Sequence, residues 1–519
     1  VRQDPCVAWK KGKHGAFGIA VRDEARGVTR QAGSRESAIK GAEMDYEAVI
    51  GLEIHVELNC VTKMFCDCPN DTGAEPNRNT CPICLWFPGA IPRFSSEALE
   101  KSALTALGLN CALQPLSAFD QKVYYYPDLP KGYQLSQAHL PLARNGWLDI
   151  ICEGGETRRL RIQKIHMEED VAKLIHETDG RTPISLVDFN RAGVPLIEIV
   201  TEPDIRSPQE AMEFVRALRT QIRYIGTSEC SLEAGSMRID ANISLRPRGT
   251  DQLNTKVEVK NMNSIRHVGD AIAHEIARQA ADLARGEAVV LHTRLWDPAK
   301  NETVAMRGKF EGPCIPDPSV PPIQVTEAWQ EEMRAKLPEM PALKAERFAG
   351  QYGLSREEAL MMSAERDLSE YFEGVVRQNV SPRTAVHWIA AQLIPAMRDR
   401  NQGFAGMPVP PSRLAELLAM LERNEINANA AREVLARLFE TEQSPTRLVE
   451  QFGFRQVSDE NALASLVDEV LKANPSALND YRNGIAKASG FLIGQAMQAS
   501  KGKANPRLLK EILMKRLAS

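Results

Sequence analysis

The sequence predicts an α+β protein in which a strand-rich N-terminal part precedes a helical C-terminal part. From residue 47 to about 323, apolar and polar residues alternate in several short runs, and this period of two is typical of half-buried strands. Beyond residue 325, apolar residues recur at the spacing of amphipathic helices. The chain has 519 residues, of which 43% are apolar, so it can form several domains that each bury a core.

Residues 1–43 differ in composition from the rest, with nine Lys or Arg residues against five Asp or Glu and no sustained period. Met44 then precedes the first clear strand pattern. We interpret 1–43 as an unassigned extension and expect Met44 to be the first residue of the working protein. A targeting peptide is the alternative, but such peptides are poor in acidic residues.

The strand pattern of residues 49–58 places charged side chains on one face. Because successive side chains of a strand point to opposite faces, Glu53, His55 and Glu57 share a face. Charged or amide side chains recur in four further strand-like runs, which are residues 166–170, 195–200, 236–245 and 255–261. A solvated face would explain one such strand, but the repetition indicates one functional side of a single antiparallel sheet.

The chemistry of these side chains points to metal-assisted phosphoryl transfer. Carboxylates with a neutral imidazole suit Mg²⁺ or Mn²⁺, and the interleaved Lys and Arg residues suit phosphate oxygens. Such transfer needs mainly positioning and charge neutralisation from the protein. The sequence contains no Walker A motif, kinase glycine loop or G-x-G-x-x-G, so the common nucleotide-binding folds are not expected.

Four cysteines form two close pairs across a short loop at residues 66–84. Their spacing, Cys66-x-Cys68-x12-Cys81-x2-Cys84, matches a tetrahedral zinc site, with a redox or vestigial site as the alternative. Four protein ligands leave no open position, so we expect this zinc to be structural. The other cysteines are scattered, which favours a reducing, cytoplasmic compartment, and no apolar stretch is long enough for a membrane span.

The helical part divides at a Gly- and Pro-rich run, residues 403–411. We therefore predict a helical connector at 326–408 and a helical tail at 409–519. Helices are expected at 328–337, 357–376, 414–422, 430–439, 463–472 and 484–500. The net charge of −4 discourages a generic nucleic-acid binder, yet residues 481–519 carry eight Lys or Arg against one Glu. This local excess favours phosphate contacts.

Several motifs, in collinear order from about residue 46 to 517, resemble one family. They are residues 53–57 (EIHVE), 124–134 (YYYPDLPKGYQ), 166–170 (HMEED), 196–204 (LIEIVTEPD), 240–244 (DANIS), 490–495 (GFLIGQ) and 501–506 (KGKANP). The family is the B subunit of the aspartyl/glutamyl-tRNA amidotransferase. The length and number of these motifs make the resemblance specific.

The resemblance implies an activity and partners. Such a protein uses ATP and Mg²⁺ to phosphorylate the side-chain carboxylate of misacylated Glu-tRNA(Gln), and often of Asp-tRNA(Asn). A glutaminase A subunit supplies ammonia through an internal channel, and a small C subunit clasps the other two. The implied fold is a glutamine-synthetase-like antiparallel-sheet cradle at 44–325, followed by the all-helical connector and a tRNA-binding tail.

The resemblance also implies roles for individual residues. The catalytic and Mg²⁺-binding candidates are Glu53, His55, Glu169, Asp240 and Glu258. The weaker candidates for substrate or nucleotide contacts are Lys122, Lys260 and Asn261. The candidates for tRNA contacts are Lys501, Lys503, Arg507 and Lys510.

Some segments depart from the family pattern. Trp86 and Phe87 stand where smaller residues are typical, Gln121 replaces a common basic residue, and Ile265 replaces an aromatic one. Residues 311–315 lack the usual arginine and aromatics, and residues 316–318 (PDP) follow where the family has Pro-Glu-Pro. A non-catalytic tRNA-binding zinc protein derived from the family is the alternative function. The archaeal paralogue carries a large inserted domain, for which residues 47–323 leave no room.

Overall fold

The computed structural model describes residues 9–10, 46–179, 182–306, 312–456, 460–483, 487–500 and 504–518. The chain divides into two compact units, Val1–Met340 and Pro341–Ser519. The first is a mixed α+β unit with a large sheet and the second is helical, which confirms the predicted α+β class. Within the described ranges, every helix is too short or too polar to cross a bilayer.

A nine-stranded sheet organises the first unit, with two smaller sheets beside it. The strands are β1 (Trp9–Lys10), β2 (Tyr46–Glu57), β3 (Ala112–Leu113), β4 (Leu116–Val123), β5 (Tyr133–Leu140), β6 (Ala143–Ile151), β7 (Thr157–Glu169), β8 (Lys173–Asp179), β9 (Thr182–Asp188), β10 (Pro195–Thr201), β11 (Met237–Pro247), β12 (Val257–Lys260), β13 (Thr293–Asp297), β14 (Glu302–Ala305), β15 (Cys314–Pro316) and β16 (Ile323–Gln324). The large sheet has the order β14-β13-β12-β11-β2-β10-β7-β6-β3. Strands β1, β9 and β8 form one small sheet, and β15, β4, β16 and β5 form the other.

The five strands predicted to share a functional face are neighbours in the large sheet. Strands β12, β11, β2, β10 and β7 pair in that order, and each pair is antiparallel. In this register Asp240 lies opposite Glu53, and Glu198 lies opposite His55 on one side and His166 on the other. The predicted antiparallel arrangement is therefore confirmed for these five strands, whereas β13 joins the same sheet in parallel with β12.

Helices of the first unit cover the apolar face of this sheet. They are α1 (Ser96–Gly108), α2 (Pro208–Ile225), α3 (Ile265–Ala284) and α4 (Glu327–Lys336). Alternate residues of β2, such as Ile54 and Val56, are fully buried in the same core cluster as Phe214 of α2 and Ile272 of α3. The apolar residues of each strand thus enter the core, and the charged residues between them are left on the other face.

The ends of α2 and α3 are encoded locally. Ser207 caps α2 by accepting a hydrogen bond from the Glu210 amide, and Ser264 caps α3 in the same way from the His267 amide. Pro208 occupies the first turn of α2, where a missing amide hydrogen costs nothing. Gly226 ends α2 in the left-handed conformation that favours glycine.

The named secondary-structure elements in the described part of the second unit are all helices. Its helices are α5 (Pro341–Tyr352), α6 (Arg356–Ser363), α7 (Arg366–Val376), α8 (Pro382–Trp388), α9 (Ile394–Asp399), α10 (Pro411–Glu422), α11 (Ala428–Leu438), α12 (Pro445–Gln451), α13 (Glu460–Ala473), α14 (Pro475–Arg482), α15 (Lys487–Ala499) and α16 (Pro506–Ala518). A π-helical segment, Ile389–Leu393, joins α8 to α9.

Two hydrophobic clusters stabilise the second unit. One extends from Ala345 to Val449 and the other from Leu463 to Leu517. Helix α4, which the sequence analysis assigns to the connector, belongs to the first unit and packs against α1. The boundaries at 325/326 and 408/409 stay predictions.

Candidate active site

Three carboxylates converge on the polar face of the large sheet, and we call them the acidic group. Glu53 of β2, Asp240 of β11 and Glu258 of β12 each offer an oxygen, and these oxygens lie within 4.8 Å of one another. Asn242 donates a hydrogen bond of 2.8 Å to Glu53, and Thr293 donates one of 2.8 Å to Glu258. Neighbouring strands therefore bring together three of the five residues predicted to bind Mg²⁺.

Among the described residues, Lys260 forms ion pairs with two members of the acidic group. Its Nζ lies 2.6 Å from Asp240 and 2.8 Å from Glu258. Burial disfavours both charged forms, but the ion pair prevails, so the pKa of Glu258 is lowered and the pKa of Lys260 is raised. One ammonium offsets one of three carboxylate charges, so the group retains negative charge for which a divalent cation is suited.

His55 lies in a second group on the same face, which we call the imidazole group; its members are His55, His166, Glu168 and Glu198. The Nε2 atom of His55 is 3.4 Å from Glu198 and 3.7 Å from Glu168. The Nε2 atom of His166 is 3.1 Å from each of the same two carboxylates. His55 thus points toward β10 and β7, not toward the acidic group.

The imidazole group is buried and its charges are paired. Burial disfavours a charged imidazole, but the charges and hydrogen bonds of Glu198 and Glu168 outweigh it and raise the pKa of His166 to about 9. The pKa of His55 is also raised, and that of Glu198 is held well below its usual range despite burial. Ser136 further donates a 2.6 Å hydrogen bond to Glu168.

Glu169, a predicted metal-site residue, lies in neither group. Side chains alternate along β7, so Glu168 shares the face of His166 while Glu169 points the other way. The Glu169 carboxylate instead pairs with Lys131 and accepts a 2.9 Å hydrogen bond from the Leu135 amide. Burial lowers the pKa of Lys131. Alternation from His166 places Glu168 on the polar face and Glu169 on the opposite one, so the Mg²⁺-binding role of Glu169 stays a prediction.

The three candidates for substrate or nucleotide contacts lie in different settings. Lys260 contacts the acidic group. Asn261 has a φ of 71° and donates a 3.1 Å hydrogen bond to the Trp296 carbonyl, so it ties the end of β12 to β13. Lys122 lies on β4, where its backbone pairs with Cys314 and Gln134.

Two positions that depart from the family pattern, Gln121 and Asp317, are in contact. Gln121 donates a 2.7 Å hydrogen bond to Asp317, which also accepts hydrogen bonds from the Ser319 side chain and the Val320 amide. These bonds lower the pKa of Asp317, although burial opposes the shift. An amide at 121 and a carboxylate at 317 therefore form one polar contact between β4 and the segment after β15.

A further carboxylate pair lies at the end of β2. Arg238 donates a 2.7 Å hydrogen bond to Asp170. Burial, together with the nearby charge of Asp170, raises the pKa of Glu57 to about 7. Alternation along β2 places Glu57 on the polar face, but it does not indicate that Asp170, just after the end of β7, comes close to it.

The four predicted zinc ligands come together. The Sγ atoms of Cys66, Cys68, Cys81 and Cys84 lie within 4.8 Å of one another, with Cys84 being 4.0 Å from Cys68 and 3.9 Å from Cys81. Four thiolates bound at about 2.3 Å to a tetrahedral ion lie about 3.8 Å apart. The cysteine loop is therefore compatible with zinc.

Electrostatics at the cysteine loop favour a thiolate. A hydrogen bond from Cys66 and the charge of Lys63 lower the pKa of Cys84 to about 5, although burial opposes them. Lys63 is fully buried and donates to the carbonyls of Asn79 and Phe189 at 2.8 and 3.0 Å. This lysine supplies positive charge beside the sulfurs and closes the loop against the chain after β9.

The predicted tRNA-contact residues are only partly described. Arg507 and Lys510 are exposed on α16, where Arg507 lies 3.3 Å from Glu511 one turn along the helix. Together with Met514 and Lys515 they line a shallow surface depression. Lys501 and Lys503 lie outside the described residues.

Two family descriptions match the chain. Residues 48–331 match the GatB/GatE catalytic domain, and residues 370–517 match the GatB domain. The first range contains the sheet, both carboxylate groups and the cysteine loop, and the second contains most of the helical unit.

Curated relatives match over almost their whole length, and each is the B subunit of an aspartyl/glutamyl-tRNA(Asn/Gln) amidotransferase. The relative from Syntrophus aciditrophicus, which is numbered 1 in that organism, is 66% identical over 474 residues, which cover 91% of this chain and 99% of the relative. The relative from Carboxydothermus hydrogenoformans is 42% identical, with coverage of 91% and 99%. The relative from Caldanaerobacter subterraneus is 44% identical, with coverage of 92% and 100%.

Proposed function

The chain belongs to the family of aspartyl/glutamyl-tRNA(Asn/Gln) amidotransferase B subunits, and from this membership we propose that it activates the side-chain carboxylate of a misacylated tRNA. The substrate is Glu-tRNA(Gln), Asp-tRNA(Asn) or both, and ATP supplies the phosphoryl group. Ammonia then gives Gln-tRNA(Gln) or Asn-tRNA(Asn). The chain thus acts as one component of a glutamine-dependent carbon–nitrogen ligase.

The acidic group is the observation that carries this proposal. Its three carboxylates converge on an accessible sheet face and retain negative charge beside Lys260. Oxygen ligands of this kind suit Mg²⁺, which when bound would neutralise charge on the phosphoryl oxygens. Lys260 adds an ammonium at the same place, and ammonium groups bind phosphate oxygens. The imidazole group, two residues along β2, already pairs its two carboxylates with two imidazoles, so we assign the cation to the acidic group.

The chemistry explains why ATP is needed. A carboxylate is a poor acyl donor because its leaving group would be oxide. In the first step a carboxylate oxygen of the aminoacyl group attacks the γ-phosphorus of ATP, and the bond to ADP breaks. Ammonia then attacks the acyl carbon, phosphate leaves and a proton is released. Because the acyl phosphate reacts with water, the surrounding chain must exclude solvent.

We assign the other parts of the chain to supporting roles. The cysteine loop would hold a zinc ion, and this ion would be structural because four sulfur ligands leave no open position for substrate. Residues 44–325 form the glutamine-synthetase-like cradle, 326–408 the connector and 409–519 the tail. Arg507 and Lys510 of the tail contact tRNA phosphates. A glutaminase A subunit and a small C subunit complete the enzyme.

Reconstitution of the whole enzyme tests the proposal. The chain is co-expressed with A and C subunits, and conversion of Glu-tRNA(Gln) to Gln-tRNA(Gln) is measured with glutamine and ATP. We expect Glu53→Gln to lower the rate by about 100-fold or more, because a charge-stabilising group is lost. The control is Glu177→Gln, which changes an exposed carboxylate on β8.

The same assay separates the two candidate functions. If the Glu53→Gln complex phosphorylated Glu-tRNA(Gln) at the wild-type rate, the catalytic assignment would be wrong. A chain that binds tRNA and zinc but supports no amidation in the wild-type complex would instead be a non-catalytic tRNA-binding zinc protein.

A further inference from the structure

Trp86 has an unusual backbone conformation at the end of the cysteine loop. It follows Cys84 by two residues, and its φ of 57° lies in the left-handed region. Residues with bulky side chains rarely adopt this backbone region. The free-energy cost of the conformation is similar to the stabilisation that one good packing contact provides. The amides of Leu85 and Trp86 donate to the carbonyls of Cys81 and Ile83 at 3.0 and 2.9 Å, so the loop itself imposes the turn.

The Trp86 indole makes two specific contacts, one with the first residue of β5 and one with the segment before it. Its Nε1–H donates a 2.9 Å hydrogen bond to the Tyr133 hydroxyl, and the two rings meet edge to face with centroids 5.7 Å apart. The ammonium of Lys131 lies 3.8 Å from the centroid of the indole ring and 5.1 Å from that of Tyr133. This is the geometry of a cation–π contact, which is strongest for tryptophan.

Lys131 connects these aromatic rings to the sheet. Its side chain is only 5% exposed and forms an ion pair with Glu169, which is 7% exposed. Glu169 is the last residue of β7 and follows Glu168, a member of the imidazole group. A chain of contacts therefore runs from the cysteine loop through Trp86 and Lys131 to β7.

We propose that Trp86 is a positioning residue that holds the Lys131 ammonium against Glu169 and so fixes the end of β7 beside the imidazole group. The indole face covers the ammonium and excludes water from the ion pair, while the Tyr133 hydrogen bond fixes the ring. The catalytic consequence of this inference rests on the proposed function, but the contact itself does not.

The reactivity of Lys131 toward acetic anhydride, measured by peptide mass spectrometry, tests the contact in the full-length chain. We expect Trp86→Leu to raise acetylation of Lys131 by about tenfold, because the cation–π contact and the cover are lost. Trp86→Phe keeps an aromatic face but, like leucine, lacks the Nε1–H, so its acetylation should stay within about threefold of wild type.

Two controls separate the contact from unfolding. Phe87→Leu changes a 56% exposed neighbour and should leave Lys131 acetylation unchanged. Lys63 is buried beside the cysteines, so its acetylation stays low in every variant that keeps the loop folded. Wild-type reactivity of Lys131 in Trp86→Leu, or equal reactivity in the Phe and Leu variants, would overturn the proposal.

Kinetics of the reconstituted enzyme test the positioning role. We expect Trp86→Leu to lower kcat by about tenfold with KM values for ATP and tRNA unchanged, and Trp86→Phe to recover most of that loss. A raised KM with unchanged kcat would overturn the role. If the wild-type complex were inactive, the proposed function would fail while the acetylation result still decided the contact.

Discussion

The acidic group and the imidazole group lie on one sheet face, yet they balance their charges in different ways. The acidic group sets three carboxylates against one lysine that is 34% exposed. The imidazole group sets two carboxylates against two histidines, and His166 and Glu168 are only 4% and 2% exposed. The acidic group is partly exposed and negative, whereas the imidazole group is buried except for His55, which is 22% exposed, and is internally paired.

This difference indicates how the two groups divide the work. Carboxylates held together without enough positive charge repel one another, and proteins keep such arrangements where a ligand supplies the missing charge. A buried, hydrogen-bonded group with equal numbers of positive and negative charges needs no ligand to be stable. Removing one partner destabilises it, because an unpaired charge is left buried. We therefore expect cation dependence from the acidic group and structural dependence from the imidazole group.

The largest expected effect is on stability, in the imidazole group. Replacing Glu198 with Gln leaves both imidazoles short of a carboxylate and should destabilise the strands around them by about 3 kcal/mol. Hydrogen exchange of the β7 and β10 amides, measured in the absence of Mg²⁺, gives the free energy of opening. Glu53→Gln is the matched comparison, and we expect it to leave this free energy unchanged or higher. Equal destabilisation by Glu198→Gln and Glu53→Gln would contradict the assignment of a structural role to the imidazole group and a cation-binding role to the acidic group.

The next effect is stabilisation by Mg²⁺. A ligand that binds only the folded protein and is present at a concentration of 100 times its Kd adds about 2.7 kcal/mol to the free energy of unfolding. We expect added Mg²⁺ to raise the thermal midpoint of the wild-type protein and of Glu198→Gln, but not of Asp240→Asn. Calorimetric scans in Mg²⁺ and in EDTA measure the shift in the thermal midpoint of each variant. A Mg²⁺ response that survives in Asp240→Asn and vanishes in Glu198→Gln would move the cation to the imidazole group.

The smallest effect concerns Lys260. Because the lysine is partly exposed, its replacement with Gln should cost less than about 1 kcal/mol in EDTA. The same variant should gain more stability from Mg²⁺ than wild type does, since the cation then neutralises three uncompensated carboxylates. The two thermal midpoints measure both effects. A smaller stability gain from Mg²⁺ in this variant than in wild type would mean that Lys260 assists Mg²⁺ binding instead of taking the place of the cation.

Much of the fold could be predicted because its signals are local. The alternation in residues 49–58 and 236–245 located β2 and β11 to within a few residues and assigned Glu53 and Asp240 to one face. Helical spacing located α4, α10, α11 and α13. Short or proline-rich helices such as α8 and α12 were missed, since fewer than three turns give little periodicity.

The site was harder to predict because it depends on which strands are neighbours. His55 was grouped with Glu53 because both lie on β2, yet β10 pairs with β2 and brings Glu198 to His55. Alternation along β7 assigns Glu168, and not Glu169, to the polar face, while the Mg²⁺-binding role of Glu169 stays a prediction. The pairing of Glu169 with Lys131 could not be predicted from a local pattern, because it depends on how β5 packs against β7.

The sequence alone determined the α+β class, the polar sheet face, the cysteine loop and the helical C-terminal part, because a period of two, a period of 3.6 and a spacing of cysteines are properties of neighbouring residues. Only the tertiary structure decided which carboxylates converge, which imidazoles pair with them and what covers Lys131. Strand order, register and the contacts that Trp86 makes with Lys131 and Tyr133 depend on residues far apart in the chain, and no local pattern records them.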